Sequence, residues 1–66
     1  MKNTIRVERA KKEISQSDLA AAVGVSKQTI LSIEKGRFTP STVLAMKIAR
    51  YFNAAVEDIF ELEDDD

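Results

Sequence analysis

Between Gln16 and Thr39 the sequence sets out Gln16, Ser26, Lys27, Gln28, Ser32, Lys35, Arg37 and Thr39. These are positive charges and neutral hydrogen-bonding groups. They suit recognition of an anionic surface better than bond-making chemistry. A Gln amide can bond an adenine edge in bidentate fashion, and a Lys favours guanine acceptors. Leu31, in the same stretch, is the kind of side chain that meets a thymine methyl. Hydroxyls, Gln amides and Arg or Lys heads hold phosphate oxygens. Catalysis is poorly served: the chain has no His and no Cys, which removes the commonest general base, the commonest metal ligand and any disulfide. A catalytic pocket would rest on carboxylates, lysines and hydroxyls alone, so neither an enzyme nor a metal or cofactor site is expected.

Five short helices must carry these residues. The first, about Thr4 to Glu13 and ending near Ile14, pairs Glu8 with Lys12 at i, i+4, the acid N-terminal as is favourable. Ser15-Gln16-Ser17-Asp18 is a capping-box pattern. It opens a second helix through Leu19, Ala20 and Val23 that stops at Gly24, where a positive φ is favoured. After the turn Gly24-Val25-Ser26, Ser26 caps a third helix ending at Lys35, with Gly36 beyond it. Ser41 caps a fourth, whose Leu44, Ala45, Ile48, Ala49 and Phe52 make one apolar stripe, and Asn53 suits its C′ position. A last helix covers about Val56 to Phe60. Strand signal is confined to the ends, Met1–Asn3 and Phe60–Leu62, enough for a brief pairing.

Two helices joined by a three-residue turn containing Gly form a helix-turn-helix, here spanning about Gln16 to Glu34. Ala20 is small where the helices approach, and Leu19, Val23, Val25, Ile30 and Ile33 supply the apolar contacts that set their angle. At about 100° per residue, turning Ile30 and Ile33 inward points Gln28, Leu31, Ser32 and Lys35 outward, with Lys27 at the N-terminal corner. That outer face carries no carboxylate.

Net charge conceals an uneven distribution. Residues 1–50 carry all ten bases against four acids, giving +6, while residues 51–66 carry seven acids and no base, giving −7; the sum is the formal −1. A basic body with an acidic end is expected to bind a polyanion despite the acidic total. The end, residues 61–66, reads as a solvated acidic tail, and the motive for a role in repelling DNA or competing for the basic face is that charge split.

The stretch from Gln16 through Glu34 resembles the helix-turn-helix of the Cro/C1-type (XRE) family. The similarity continues through Lys35-Gly36-Arg37, Pro40-Ser41 and Leu44 to Ala49, and closes on Val56-Glu57-Asp58-Ile59-Phe60. It covers about residues 4–60, and the chain is similar to the family's shortest, stand-alone members. The resemblance implies an all-α, five-helix, lambda-repressor-like domain over residues 1–60 that binds double-stranded DNA, as a repressor occupying an operator. It implies that Lys27, Gln28 and Ser32 face base edges, that Gln16 meets a phosphate, and that Arg9 and Glu34 tie the first helix to the third. Glu8, where many members are apolar, and Ala55, where a hydroxyl cap is usual, depart from the pattern. An antitoxin-like interaction module on the same fold is the alternative.

Ser26, Lys35, Arg37 and Thr39 are the remaining phosphate candidates. Family members usually bind as symmetric dimers, and Val43, Met46, Tyr51, Phe60 and Leu62 are the candidates for a homodimer surface. No small-molecule ligand is expected. No apolar run approaches the roughly 20 residues that span a bilayer, and Met1 to Arg6 lacks a signal-peptide core; the expected location is the cytoplasm.

Overall fold

Serine hydroxyls start three of the five helices, and left-handed residues end four of them. The computed structural model describes residues 1–66, with the order β1 (Lys2–Asn3), α1 (Ile5–Lys12), α2 (Gln16–Val23), α3 (Lys27–Glu34), α4 (Thr42–Tyr51), α5 (Val56–Ile59) and β2 (Phe60–Glu61). Ser15 Oγ accepts from the Asp18 N–H at 3.0 Å, and the Ser15 N–H donates to Asp18 Oδ2 at 3.0 Å. This is the reciprocal capping box read from the sequence, and the two bonds to Ser15 hold the Asp18 carboxyl below its usual range. Ser26 and Ser41 accept from the Thr29 and Leu44 amides at 3.2 and 3.1 Å.

The α1, α2, α3 and α4 ends share one geometry. Glu13, Gly24, Gly36 and Asn53 have φ of 56°, 77°, 73° and 54°. After each, the next amide reaches back to a carbonyl one turn earlier: Ile14 to Arg9, Val25 to Ala20, Arg37 to Ser32, Ala54 to Ala49. This is the Schellman closure. It leaves the connections short and stiff. Glu13 is the costly member, because a Cβ in the left-handed region meets the following carbonyl.

The core is a single cluster. Ile5, Leu19, Ile30, Ile33 and Ile48 are fully buried, and Ala20, Val23, Leu44, Ala45, Ala49, Phe52, Ile59 and Phe60 complete it. The three- and four-residue spacings on α2, α3 and α4 put these residues on one face of each helix. Small Ala20 lets α3 lie close on α2, and α2 in turn packs on α4. The two terminal strands pair antiparallel, Lys2 opposite Glu61 and Asn3 opposite Phe60.

Several details differ from the sequence reading. α1 begins at Ile5; Thr4 is its N-cap with no side-chain bond, and Asn3 Oδ1 instead accepts from the Ile5 N–H at 3.2 Å. Lys11, not Lys12, takes Glu8, at 3.1 Å. Lys12 is turned towards α4, its ammonium 5.4 Å from the Tyr51 ring centroid, a distance that favours cation–π attraction. α5 stops at Ile59 because Phe60 becomes extended to join β2. Ala55 has the backbone of an N-cap but no side-chain oxygen to offer, so only its own N–H is served, by Asp58 Oδ2 at 3.1 Å.

The acidic end is not a detached tail. Asp66 Oδ2 accepts from the Glu63 N–H at 2.7 Å, closing residues 63–66 into a turn. The Met1 ammonium lies 3.1 Å from both Glu63 Oε1 and Asp66 Oδ1. Bonds to Asp66 and Glu63 raise the pKa of that amine. No three acidic side chains converge as a metal-holding group.

Candidate nucleic-acid interface

The outward face of α3 is built by what its inward face buries. With Ile30 and Ile33 in the core, Lys27 and Gln28 are exposed on the other side, and Leu31 and Ser32 are half-buried along its edge. Leu31 is therefore less open than the helical wheel predicts. Its side chain leans on the domain while part of it faces outward. Lys35, Arg37 and Thr39 are exposed in the loop that follows.

The single carboxylate of α3 does not share this face. Glu34 turns back to α1, where Arg9 Nε and Nη2 donate to its two oxygens at 2.6 and 3.0 Å. Arg9 Nη1 donates to the Ile14 carbonyl at 3.1 Å, locking the end of α1 into the same node. Only 15% of the Arg9 side chain and 7% of that of Glu34 remain accessible. Burial works to raise the Glu34 pKa, but the hydrogen bonds from Arg9 and Gln16 outweigh it and hold the carboxyl below its ordinary range. The outward face of α3 is thus free of acid because Glu34 is turned inside onto Arg9.

Gln16 belongs partly to that node. Its Nε2 donates to Glu34 Oε1 at 3.2 Å, which fixes the amide at the start of α2, next to the first free N–H groups of the helix. Such an N-terminus accommodates an anion. Ser26 is engaged with Thr29 through both its cap bond and a 3.0 Å hydroxyl pair.

Two residues of this region escape sequence reasoning. Asn3 Nδ2 donates to the Ile33 carbonyl at 2.8 Å, so one amide side chain joins the start of α1 to the end of α3. Nothing in the spacing of Asn3 signals this; it depends on the β1–β2 pairing. Phe38 is 49% exposed and borders an open depression with Gln28, Thr29, Ser32 and Arg37. A lone aromatic in an otherwise polar loop was the available signal.

The candidates for a dimer surface separate. Phe60 is only 7% exposed and belongs to the core, so β2 formation removes it from any outer surface. Tyr51 is half-buried, edge-on to Phe52 at 5.3 Å and under Lys12. Val43, Met46 and Leu62 stay exposed.

A family model described as "Helix-turn-helix" matches residues 5–59, the whole of this five-helix arrangement. The chain belongs to the Cro/C1-type helix-turn-helix family. It is 52% identical over 66 residues to an HTH-type transcriptional regulator of Methanocaldococcus jannaschii, covering 100% of both chains. A regulator described in the same way from Archaeoglobus fulgidus is 48% identical, with 100% of this chain and 94% of that one covered. One from Bacillus subtilis is 45% identical over 65 residues, covering 98% of each. Membership sets the protein among DNA-binding transcription regulators rather than enzymes. No helix is long and apolar enough to cross a membrane.

Proposed function

We propose that this protein is a sequence-specific transcriptional repressor that binds an operator as a homodimer, with α3 in the major groove. The observation that carries the reading is the acid-free outer face of α3, with Glu34 withdrawn onto Arg9. An α-helix fits the major groove, where the four base pairs are all distinguishable. Lys27, Gln28, Leu31 and Ser32 are the base-reading residues in this scheme. Gln16, Ser26, Lys35, Arg37 and Thr39 hold the phosphates on either side and fix the register.

Dimerisation is supported by a groove between α4 and α5. Val43 and Met46, 63% and 56% exposed, border it together with the bases Lys47 and Arg50 and the acids Glu57 and Asp58. A two-fold axis through such a surface sets the bases of one copy against the acids of the other, as an isologous contact requires. Leu62, exposed beyond β2, does not border this groove.

Two substitutions separate reading from holding. Gln28→Ala should relax discrimination at one or two base pairs, each worth about 1–3 kcal/mol. Arg37→Ala should weaken every sequence alike and lower the slope of log affinity against log salt by about one. Unchanged discrimination in Gln28→Ala would show that α3 does not read bases in this way.

A further inference from the structure

We infer that Phe38 is a specificity-determining residue whose ring receives the C5-methyl of a thymine beside the base pairs met by Gln28 and Ser32. The inference rests on α3 being the base-reading helix.

The case begins with cost. Phe38 keeps 49% of its surface open to water, in a loop whose neighbours Arg37 and Thr39 are polar and exposed. Exposed aromatic surface is unfavourable, and the domain leaves about half of Phe38 uncovered. Its position is specific. Phe38 shares one depression with Gln28, Thr29, Ser32 and Arg37, and Gln28 and Ser32 are successive turns of the outward face of α3. A helix laid in the major groove along that face brings Phe38 to the groove floor or its rim, not to the far side of the domain.

The loop also holds the ring ready. Gly36 N–H donates to the Ile33 carbonyl at 2.9 Å, and Arg37 N–H to that of Ser32 at 2.9 Å. The Ile33 carbonyl takes a second bond from Asn3 Nδ2 at 2.8 Å, and Pro40 on the other side is buried. Phe38 therefore stands on a segment pinned at both ends, so little ordering is needed when DNA arrives. Among the base edges of the major groove the apolar group is the thymine methyl. An apolar ring there discriminates thymine without any hydrogen bond.

The test uses a duplex enriched from a random pool and replaces its thymines one at a time by deoxyuridine, which removes only the methyl. Wild type should lose about four-fold in affinity at the position of each half-site met by Phe38, as for one methyl withdrawn from apolar contact; a thymine met by Leu31 is a separate position that Phe38→Ala leaves unchanged. The Phe38 position should neighbour those affected by Gln28→Ala. Phe38→Ala should bind the thymine and uracil forms of that site equally, and Phe38→Leu should recover part of the difference. Because Phe38 lies outside the core, unchanged thermal unfolding of the variants confirms that folding is intact. If Phe38→Ala keeps the wild-type uracil sensitivity at every position, or weakens all duplexes uniformly as a sugar or phosphate contact would, the inference is overturned. A pool that yields no preferred duplex would instead remove the base-reading role of α3 itself, and this inference with it.

Discussion

Replacing Arg9 with Met should destabilise the domain strongly and invert how its stability responds to acid. In the native node Glu34 accepts two bonds from Arg9 and one from Gln16, with 7% of its side chain accessible. Without Arg9 a largely buried carboxylate keeps only the Gln16 amide. Removing one partner of a buried pair costs about 3–5 kcal/mol; the residual access of Arg9 to water sets the expected loss near the lower end. A domain of this length has a total stability of roughly 3–10 kcal/mol, so the loss takes a large share of it. At about 4–8 °C per kcal/mol, the melting temperature should drop by about 12–24 °C.

The pH response follows from the direction of the Glu34 shift. In the wild type the folded-state pKa is depressed, so its stabilisation is fully present above the unfolded carboxyl range, about 4.3. It is lost as pH falls through the folded value. With Arg9 gone, burial dominates and raises the folded pKa. The Glu34 contribution is then fully present below about 4.3 and is lost as pH rises through the raised value. The gap between wild type and Arg9→Met, measured by urea unfolding, should therefore be constant above that raised value and narrow as pH falls from it to about 4.3. The double variant Arg9→Met with Glu34→Leu should return to within about 1 kcal/mol of wild type, since a packed apolar pair replaces a buried ionic one at little cost. A loss below about 1 kcal/mol for Arg9→Met, or a gap independent of pH, would refute the claim that this node is desolvated and holds α1 to α3.

Three further outcomes follow from the same geometry. Ala55→Ser should complete the half-formed cap of α5, where the Ala55 N–H already meets Asp58, and stabilise by about 0.5–1 kcal/mol; calorimetry with no rise in melting temperature would show that α5 gains nothing from the cap. Glu13→Gly should relieve the left-handed strain at φ 56° and stabilise by up to about 1 kcal/mol, and a loss of stability in chemical denaturation would count against that strain. Met1 links the acidic turn to the loop after α3, because a Cβ on Gly36 would stand 3.7 Å from the Met1 carbonyl oxygen. Met1 therefore bridges Glu63 and Asp66 to the loop carrying Lys35 and Arg37, and charges interact over a Debye length, about 10 Å at 0.1 M salt. Deleting residues 63–66 should tighten DNA binding at low salt and do little at high salt; equal affinity at low salt would mean that the turn does not repel DNA.

What was legible in the sequence is what local rules control. The serine caps at 15, 26 and 41, the turn at Gly24, the stripes on α2 to α4 and the outward row of α3 all depend on spacings of a few residues. Arg9–Glu34 was legible only through resemblance, since 25 residues separate the pair. Long-range features are not legible in local spacing. Phe60 is both a helix former by pattern and a strand residue by pairing; Asn3 opposite it decides the matter, and the pairing carries Phe60 inward. Lys12 had two partners within reach, and the proximity of Tyr51 across the fold chose between them. The acidic end looked unattached because its counter-charge is the amine at the opposite terminus.

The base-reading role of α3 is tested most directly by selecting bound duplexes from a random pool at about 0.15 M salt. The account predicts one enriched motif arranged as an inverted repeat, its half-site centres about 34–36 Å apart, bound at least about 1,000-fold more tightly than unselected DNA. A pool that stays unenriched while the protein still binds DNA would contradict it, leaving α3 a basic surface that holds the backbone without reading sequence.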